Sequence, residues 1–321
     1  GAGFLAADTP AEPADATVDN EYFTSESLLS DSELAPRSGD ISFERQPSRT
    51  VLIASDGDPS EIEPVVNALV AHGHDVEFVD RGGSPVIRPT PLGVGVSSSP
   101  TPTSDSNTDL AARLDEADAF LVVGDTQFED EEADSIEAFA DAGGRVIVAT
   151  DRQPAAPFGV ASSSDPTSLT SRFGVAVSSG YLFDMHENDA NFQRVYAEGG
   201  DELGAGVDRV VLDDASPVRS ASGVSVATTA SDETRSSVTR EPGPYDVAVK
   251  SDNVVVVGDT DLFRPLNYNR ADNEVLIGNM LEFLSGGPSD PYSPPEEASG
   301  EGPTSPDGQP PGGEESPEPP Q

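Results

Sequence analysis

Four apolar runs in this chain stop on aspartate. RTVLIAS (49–55) runs into Asp56-Gly57-Asp58, AFLVVGD (119–125) ends on Asp125, RVIVATD (145–151) on Asp151, and NVVVVGDTD (253–261) on Asp259 and Asp261. In an open parallel sheet, ligands bind beyond the carboxyl ends of the strands. If these runs are strands of one sheet, Asp56, Asp125, Asp151, Asp259 and Asp261 converge on one rim. Clustered carboxylates favour a hard cation such as Mg²⁺ or Ca²⁺. The competing role is local: aspartate is abundant along the chain, and it is favoured at turns and helix N-caps because its side chain bonds nearby backbone N–H groups.

Other chemistry has thinner support. The loop phrase YLFDMHEND (181–189) sets His186 among Asp184, Glu187 and Asp189; it reads as a metal site or as a solvated acidic loop. His72 and His74 flank Gly73, which stops a helix, and carry no further signal. The chain has no cysteine, which excludes a disulfide framework, Cys-ligated zinc and a thiol nucleophile. No G-x-S-x-G elbow occurs, and the serine runs at 97–99, 162–164 and 178–179 have loop composition. Gly1-Ala2-Gly3 and Gly93-Val94-Gly95 lack the strand–turn–helix setting of a phosphate loop.

The rim requires a sheet, and the hydrophobic pattern supplies one. Runs 49–55, 75–80, 119–125 and 145–151 read as strands. Between them, Ile62, Val65, Val66, Leu69 and Val70 fall at helical spacing from near Pro64 to Gly73. A second helix over Asp109–Asp118 carries Leu110, Leu114 and Ala117 on one face, and a third over Asp134–Ala142 carries Ile136, Phe139 and Ala140. Residues 81–107 read as a long loop. This order predicts an α/β fold, a mainly parallel sheet flanked by helices of the flavodoxin-like kind. In the second half, SLTSRFG reads as a short helix, 208–214 and 222–230 as strands, and 245–259 as an antiparallel hairpin turning at Ser251-Asp252-Asn253. A last helix, Asn273–Leu284, has Leu276, Ile277, Met280 and Leu284 to bury.

Charge bounds the class. The formal net charge is -42, and Lys250 is the only lysine. Self-repulsion on this scale opposes a compact state; at molar salt the Debye length is about 3 Å and the repulsion is largely screened. A salt-adapted protein, as in haloarchaea, is the expectation. Nucleic acid is disfavoured as a partner, because no cluster of Lys and Arg exists to meet phosphates. Residues 1–48 read as a polar N-terminal spacer, 49–285 as the α/β domain, and 286–321, almost all Pro, Gly, Ser, Glu and Asp, as a disordered acidic tail. The opening GAGFLAA is expected to be the far end of a signal or anchor segment, which implies an exported protein at the outer face of the cell membrane.

As a set, ADAFLVVGD (117–125), FADAGGRVIVATD (139–151), RFGVAVSSGYLFD (172–184), VVVVGDTDLF (254–263) and NEVLIGNMLEFL (273–284) resemble the class I glutamine amidotransferase-like domains of uncharacterised archaeal envelope proteins. They are also similar to accessory subunits of gliding-motility-type ABC transport systems. The resemblance implies family positions at Asp259, Asp261 and Asn273. True amidotransferases carry a nucleophilic cysteine after a central strand, where this chain has Thr150-Asp151-Arg152. Amidotransferase activity is therefore excluded. What the resemblance implies instead is a domain without catalytic residues or cofactor that binds a protein or cell-envelope component.

A second resemblance is to haloacid-dehalogenase-type phosphatases. It would make Asp56 the nucleophile and Asp58 the general acid/base, place Thr150 at the Ser/Thr that ends the second strand, have Lys250 neutralise charge, and make Asp259 with Asp261 the acidic pair, of which Asp259 helps hold Mg²⁺. The departures are Pro59-Ser60 after the first acids, the closeness of Lys250 to the final strand, and an Asp261 that follows Asp259 too closely.

Overall fold

The computed structural model describes residues 35, 37, 39–79, 87–90, 93–96, 106–124, 128–151, 167–200 and 202–288; for 87–90, 93–96, 106–109, 167, 168 and 202 only the backbone is described. Asp125, most of the N-terminal spacer and the tail from residue 289 lie outside the described residues.

The first half alternates strand and helix. It contains β1 (Thr50–Ser55), α1 (Glu63–Ala71), β2 (Asp75–Phe78), β3 (Ile87–Thr90), β4 (Gly93–Val96), α2 (Ser106–Asp115), β5 (Ala119–Val123), α3 (Asp130–Asp141) and β6 (Arg145–Ala149). The second half is mostly strand. It contains α4 (Thr167–Arg172), β7 (Val175–Val177), β8 (Leu182–Phe183), β9 (Arg194–Gly199), β10 (Val210–Asp213), β11 (Val218–Ser220), β12 (Val224–Thr229), β13 (Arg235–Ser236), β14 (Asp246–Ser251), β15 (Val254–Val257) and α5 (Asn273–Ser285).

Nine strands form one sheet in the order β10-β9-β12-β14-β15-β6-β5-β1-β2. The joins from β15 to β2 are parallel, and those from β10 to β15 are antiparallel. The fold is thus mixed α/β: the expected parallel sheet spans β15 to β2, the expected hairpin over 245–259 is β14–β15, and the antiparallel pairing extends further, to β10. Parallel strands need crossover helices, whereas antiparallel ones turn back on short loops. The helix-poor second half accordingly carries the antiparallel strands.

Two apolar layers cover the sheet. On one face α1 and α5 pack through Val65, Leu69, Leu276, Ile277 and Met280 against Val51, Ile53, Leu121 and Ile147. On the other, α2 and α3 pack through Leu110, Leu114, Ile136 and Phe139 against Leu52, Phe120, Val122 and Val148. Strands covered on both faces read as continuous apolar runs, which is why β1, β5, β6 and β15 stand out in the sequence. Val70, expected inward on α1, is 44% exposed, while Ala68 is buried in its place. Helix α3 starts earlier than expected because Glu129 and Glu132 form a capping box, with the Glu129 N–H donating to Glu132 Oε2 at 2.9 Å. The stretch expected as a loop over 81–107 contains the β3–β4 hairpin and the start of α2.

Packing extends beyond residues 49–285 at both ends. Ile41 joins the core beside α1 and α5, and Arg49 Nη2 donates to the Gly287 carbonyl at 2.7 Å. Among the described residues no helix is long and apolar enough to cross a membrane.

Candidate functional site

The carboxyl ends of β1, β6, β10 and β15 share one edge of the sheet, because β10 runs parallel to β15 after four antiparallel reversals. Each end delivers acids to this rim. Asp151 follows β6 and accepts the Thr260 N–H at 2.9 Å and also the Thr260 hydroxyl. Asp259 follows β15 and is 1% exposed. Its Oδ2 accepts the Asp213 N–H at 2.9 Å and its Oδ1 the Leu262 N–H at 3.3 Å. These bonds tie the ends of β6, β10 and β15 together.

The basic side chains nearby are few and engaged. Arg194 Nε donates to Asp213 Oδ2 at 2.8 Å. Arg264 places Nη1 2.8 Å from Asp261 Oδ1 and Nη2 3.1 Å from Glu61 Oε2, bridging the loops after β15 and β1. Burial pushes the Asp259 carboxyl well above the usual carboxylate range, with the charges of Asp261 and Asp151 adding to it against the Asp213 N–H. Burial also pushes Asp261 up to about 6; Arg264 opposes the shift, and Asp151, Asp213 and Asp214 add to it.

The acids after β1 sit differently. Asp56 and Asp58 are exposed. The Asp56 N–H continues the ladder to the Val123 carbonyl, at 3.3 Å. Its carboxylate lies over Gly124, where an added Cβ would stand 1.8 Å from Oδ1 at a φ of +100°. Asp58 caps the 3-10 turn Pro59–Ile62 by accepting the Ser60 N–H at 2.9 Å, and the Ser60 bonds hold its carboxyl below the ordinary value.

The phosphatase constellation is only partly brought together. Asp56, Asp58, Thr150, Asp259 and Asp261 share the carboxyl edge. Thr150 is buried, and its hydroxyl donates to the Asp151 carbonyl at 3.3 Å. Lys250 lies toward the opposite edge: it pairs with Val255 in the ladder, and its ammonium stands 5.6 Å from the Phe283 ring at the end of α5. Among the described residues, no group of three or more His, Asp or Glu side chains has a metal-holding arrangement.

Asn273 is fully buried and works as a clamp. Its Oδ1 accepts the Val211 N–H at 2.8 Å, and its Nδ2 donates to the Val211 and Asn267 carbonyls at 2.9 and 2.8 Å. In the 181–189 loop, His186 is exposed and Asp184 is buried. Burial pushes Asp184 up, but the N–H groups of His186 and Glu187 together with Thr234 and Ser231 hold it below its ordinary value. Asp189, also buried, accepts the Ala35 N–H at 2.6 Å and pairs with Arg270. That loop's acids thus organise backbone.

Asp213, Arg264 and Glu61 carry no motif that marks them in the sequence. Asp213 was visible only as the end of the strand 208–214.

No protein-family model matches this chain, and no curated protein does. Solved structures do. The structure titled "mmIFT52 N-terminal domain" superposes with a TM-score of 0.53 at 10% identity, covering 73% of this chain and 97% of that one. A putative ThuA-like protein from Bacteroides uniformis aligns with a TM-score of 0.45 at 10% identity, over 75% of this chain and 93% of that one. At such identity the first likeness is one of fold alone.

Proposed function

We propose that this is a non-catalytic, amidotransferase-like α/β domain of an exported, membrane-associated haloarchaeal protein. It binds a protein or cell-envelope component, in the manner of an ABC transport accessory. The observation that carries this reading is the use of the rim carboxylates. Both oxygens of Asp259 accept backbone N–H groups, and Asp151 is held by Thr260. A reaction centre needs carboxylates aimed at a substrate; these are aimed at the protein's own loops. The lack of cysteine removes the family's nucleophile. The placement of Lys250 at the other edge removes the cation that would offset a phosphoryl group there.

The test is hydrolysis of p-nitrophenyl phosphate with Mg²⁺ in molar KCl. The expected result is no Mg²⁺-dependent turnover above the rate without protein, for both wild type and Asp56→Asn. Turnover by the wild type that Asp56→Asn abolishes would replace this reading with the phosphatase one.

A further inference from the structure

Residues 41–44 cross the amino edge of the sheet and hold both helices of one face. Ile41 is buried in the core. The Ser42 carbonyl lies so close to α5 that a Cβ at Gly278 would stand 2.4 Å from it. Phe43 stacks on His72, with ring centroids 3.9 Å apart at 17°, and lies nearly parallel to His74 at 5.9 Å and 9°. The Glu44 N–H donates to Glu282 Oε2 at 3.2 Å.

The two imidazoles fit this arrangement only when neutral. The Phe43 N–H points at His72 Nε2 at 3.4 Å, so Nε2 must accept. Nδ1 lies 2.7 Å from the Ala68 carbonyl, so Nδ1 must carry the proton. A second proton would set an N–H against the Phe43 N–H and remove its acceptor. His74 is 3% exposed, and neither of its ring nitrogens has a hydrogen-bond partner among the described residues. A charge there would be buried without a hydrogen bond.

We propose that residues 41–44 form an acid-released strap, whose docking on α1 and α5 is set by protonation of His74 beneath Phe43. The charged groups around the pair are Arg49 before β1, Asp75 at the start of β2, Glu44 on the strap and Glu282 on α5. Burial, then His72 and Arg49, push His74 below its ordinary value of 6.5, and Asp75 opposes them. The folded arrangement, with Phe43 laid over His74, favours the neutral ring, so docking is strongest above the ordinary value of about 6.5 and weakens as pH falls.

Amide hydrogen exchange on the full chain in molar KCl tests this, with protection taken relative to intrinsic rates. Between about pH 7.5 and 5.5, protection over residues 39–48 should fall by up to about tenfold, while residues 145–149 stay protected. The double substitution His72→Gln with His74→Leu should abolish the pH dependence. Gly278→Ala should lose strap protection at both pH values, since its methyl displaces Ser42. Equal wild-type protection at both pH values, a loss shared by residues 145–149, or the same loss in the double variant would overturn the proposal.

Discussion

The two edges of the sheet use opposite charge for the same mechanical task. At the carboxyl edge, the buried Asp259 and half-buried Asp151 carboxylates accept backbone N–H groups and fasten the loops after β6, β10 and β15. At the amino edge, guanidinium groups donate to the carbonyls that end α5: Arg49 Nε to Ser285 at 3.2 Å and Arg145 Nη1 to Phe283 at 2.8 Å. Those carbonyls lie in the last turn, where the capping Gly286 N–H reaches only that of Phe283, at 3.3 Å, and they carry the negative end of the helix dipole, so cations belong there. Helix α5 joins the two edges, clamped by Asn273 at its start and by arginines at its finish. In a chain of net charge -42 the basic residues are scarce, and several serve this closure. The edges should also answer acid in opposite senses, the rim gaining from protonation and the histidine strap losing.

The largest effect should come from cutting the clamp between them. Asn273→Ala leaves the buried Val211 N–H and carbonyl without their side-chain partners and should destabilise the fold by about 3–5 kcal/mol. Chemical denaturation at fixed molar KCl measures this. A cost below about 1 kcal/mol would deny the clamp its role.

Arg145→Met should cost about 1–2 kcal/mol through the lost bond to the Phe283 carbonyl and the lost contact with the Phe283 ring. Thermal melts at two salt concentrations would check it. The half-buried bond should persist in high salt, whereas a surface ion pair would be screened away.

A smaller effect is expected at Asp261. Its folded value of about 6 exceeds its ordinary 3.8, so the folded state holds the proton more tightly. The stability it contributes declines as pH rises from about 4 to about 6 and is flat above. Asp261→Asn should flatten that slope and raise stability at neutral pH by about 1 kcal/mol, after discounting for partial exposure. Melting curves across this range would show an unchanged slope if the group were merely solvated. Least of all should Asp58→Asn matter, since the amide oxygen can still cap Ser60; an unchanged melting temperature is the expectation.

Much of this comparison was written in the sequence, unevenly. Strands β1, β5, β6 and β15 were legible because burial on both faces makes them continuous apolar runs. Strand β9 was not: only Val195 and Ala197 of RVYAEG turn to the core, too few to mark a strand. The antiparallel half of the sheet is long-range information that periodicity does not carry. At the rim, Asp151, Asp259 and Asp261 were visible as strand ends, yet nothing in their spacing told a cation site from loop fastening. Asp213 and Arg264 decide that question from other elements. Lys250 illustrates the limit, since a residue adjacent in sequence to the last strand projects toward the opposite edge. His72 and His74 gave no signal, because their meaning depends on Phe43, nearly thirty residues upstream.

If the rim acids hold the protein together rather than a ligand, a cation should leave them undisturbed. The decisive measurement follows the side-chain carboxyl ¹³C shifts of Asp259 and Asp261 against pH in molar KCl, with and without about 10 mM Mg²⁺. Asp261 should titrate near 6 and Asp259 well above the usual carboxylate range, and Mg²⁺ should move neither. A downward shift of about one unit or more in either midpoint on adding Mg²⁺ would mark a bound cation and contradict this reading.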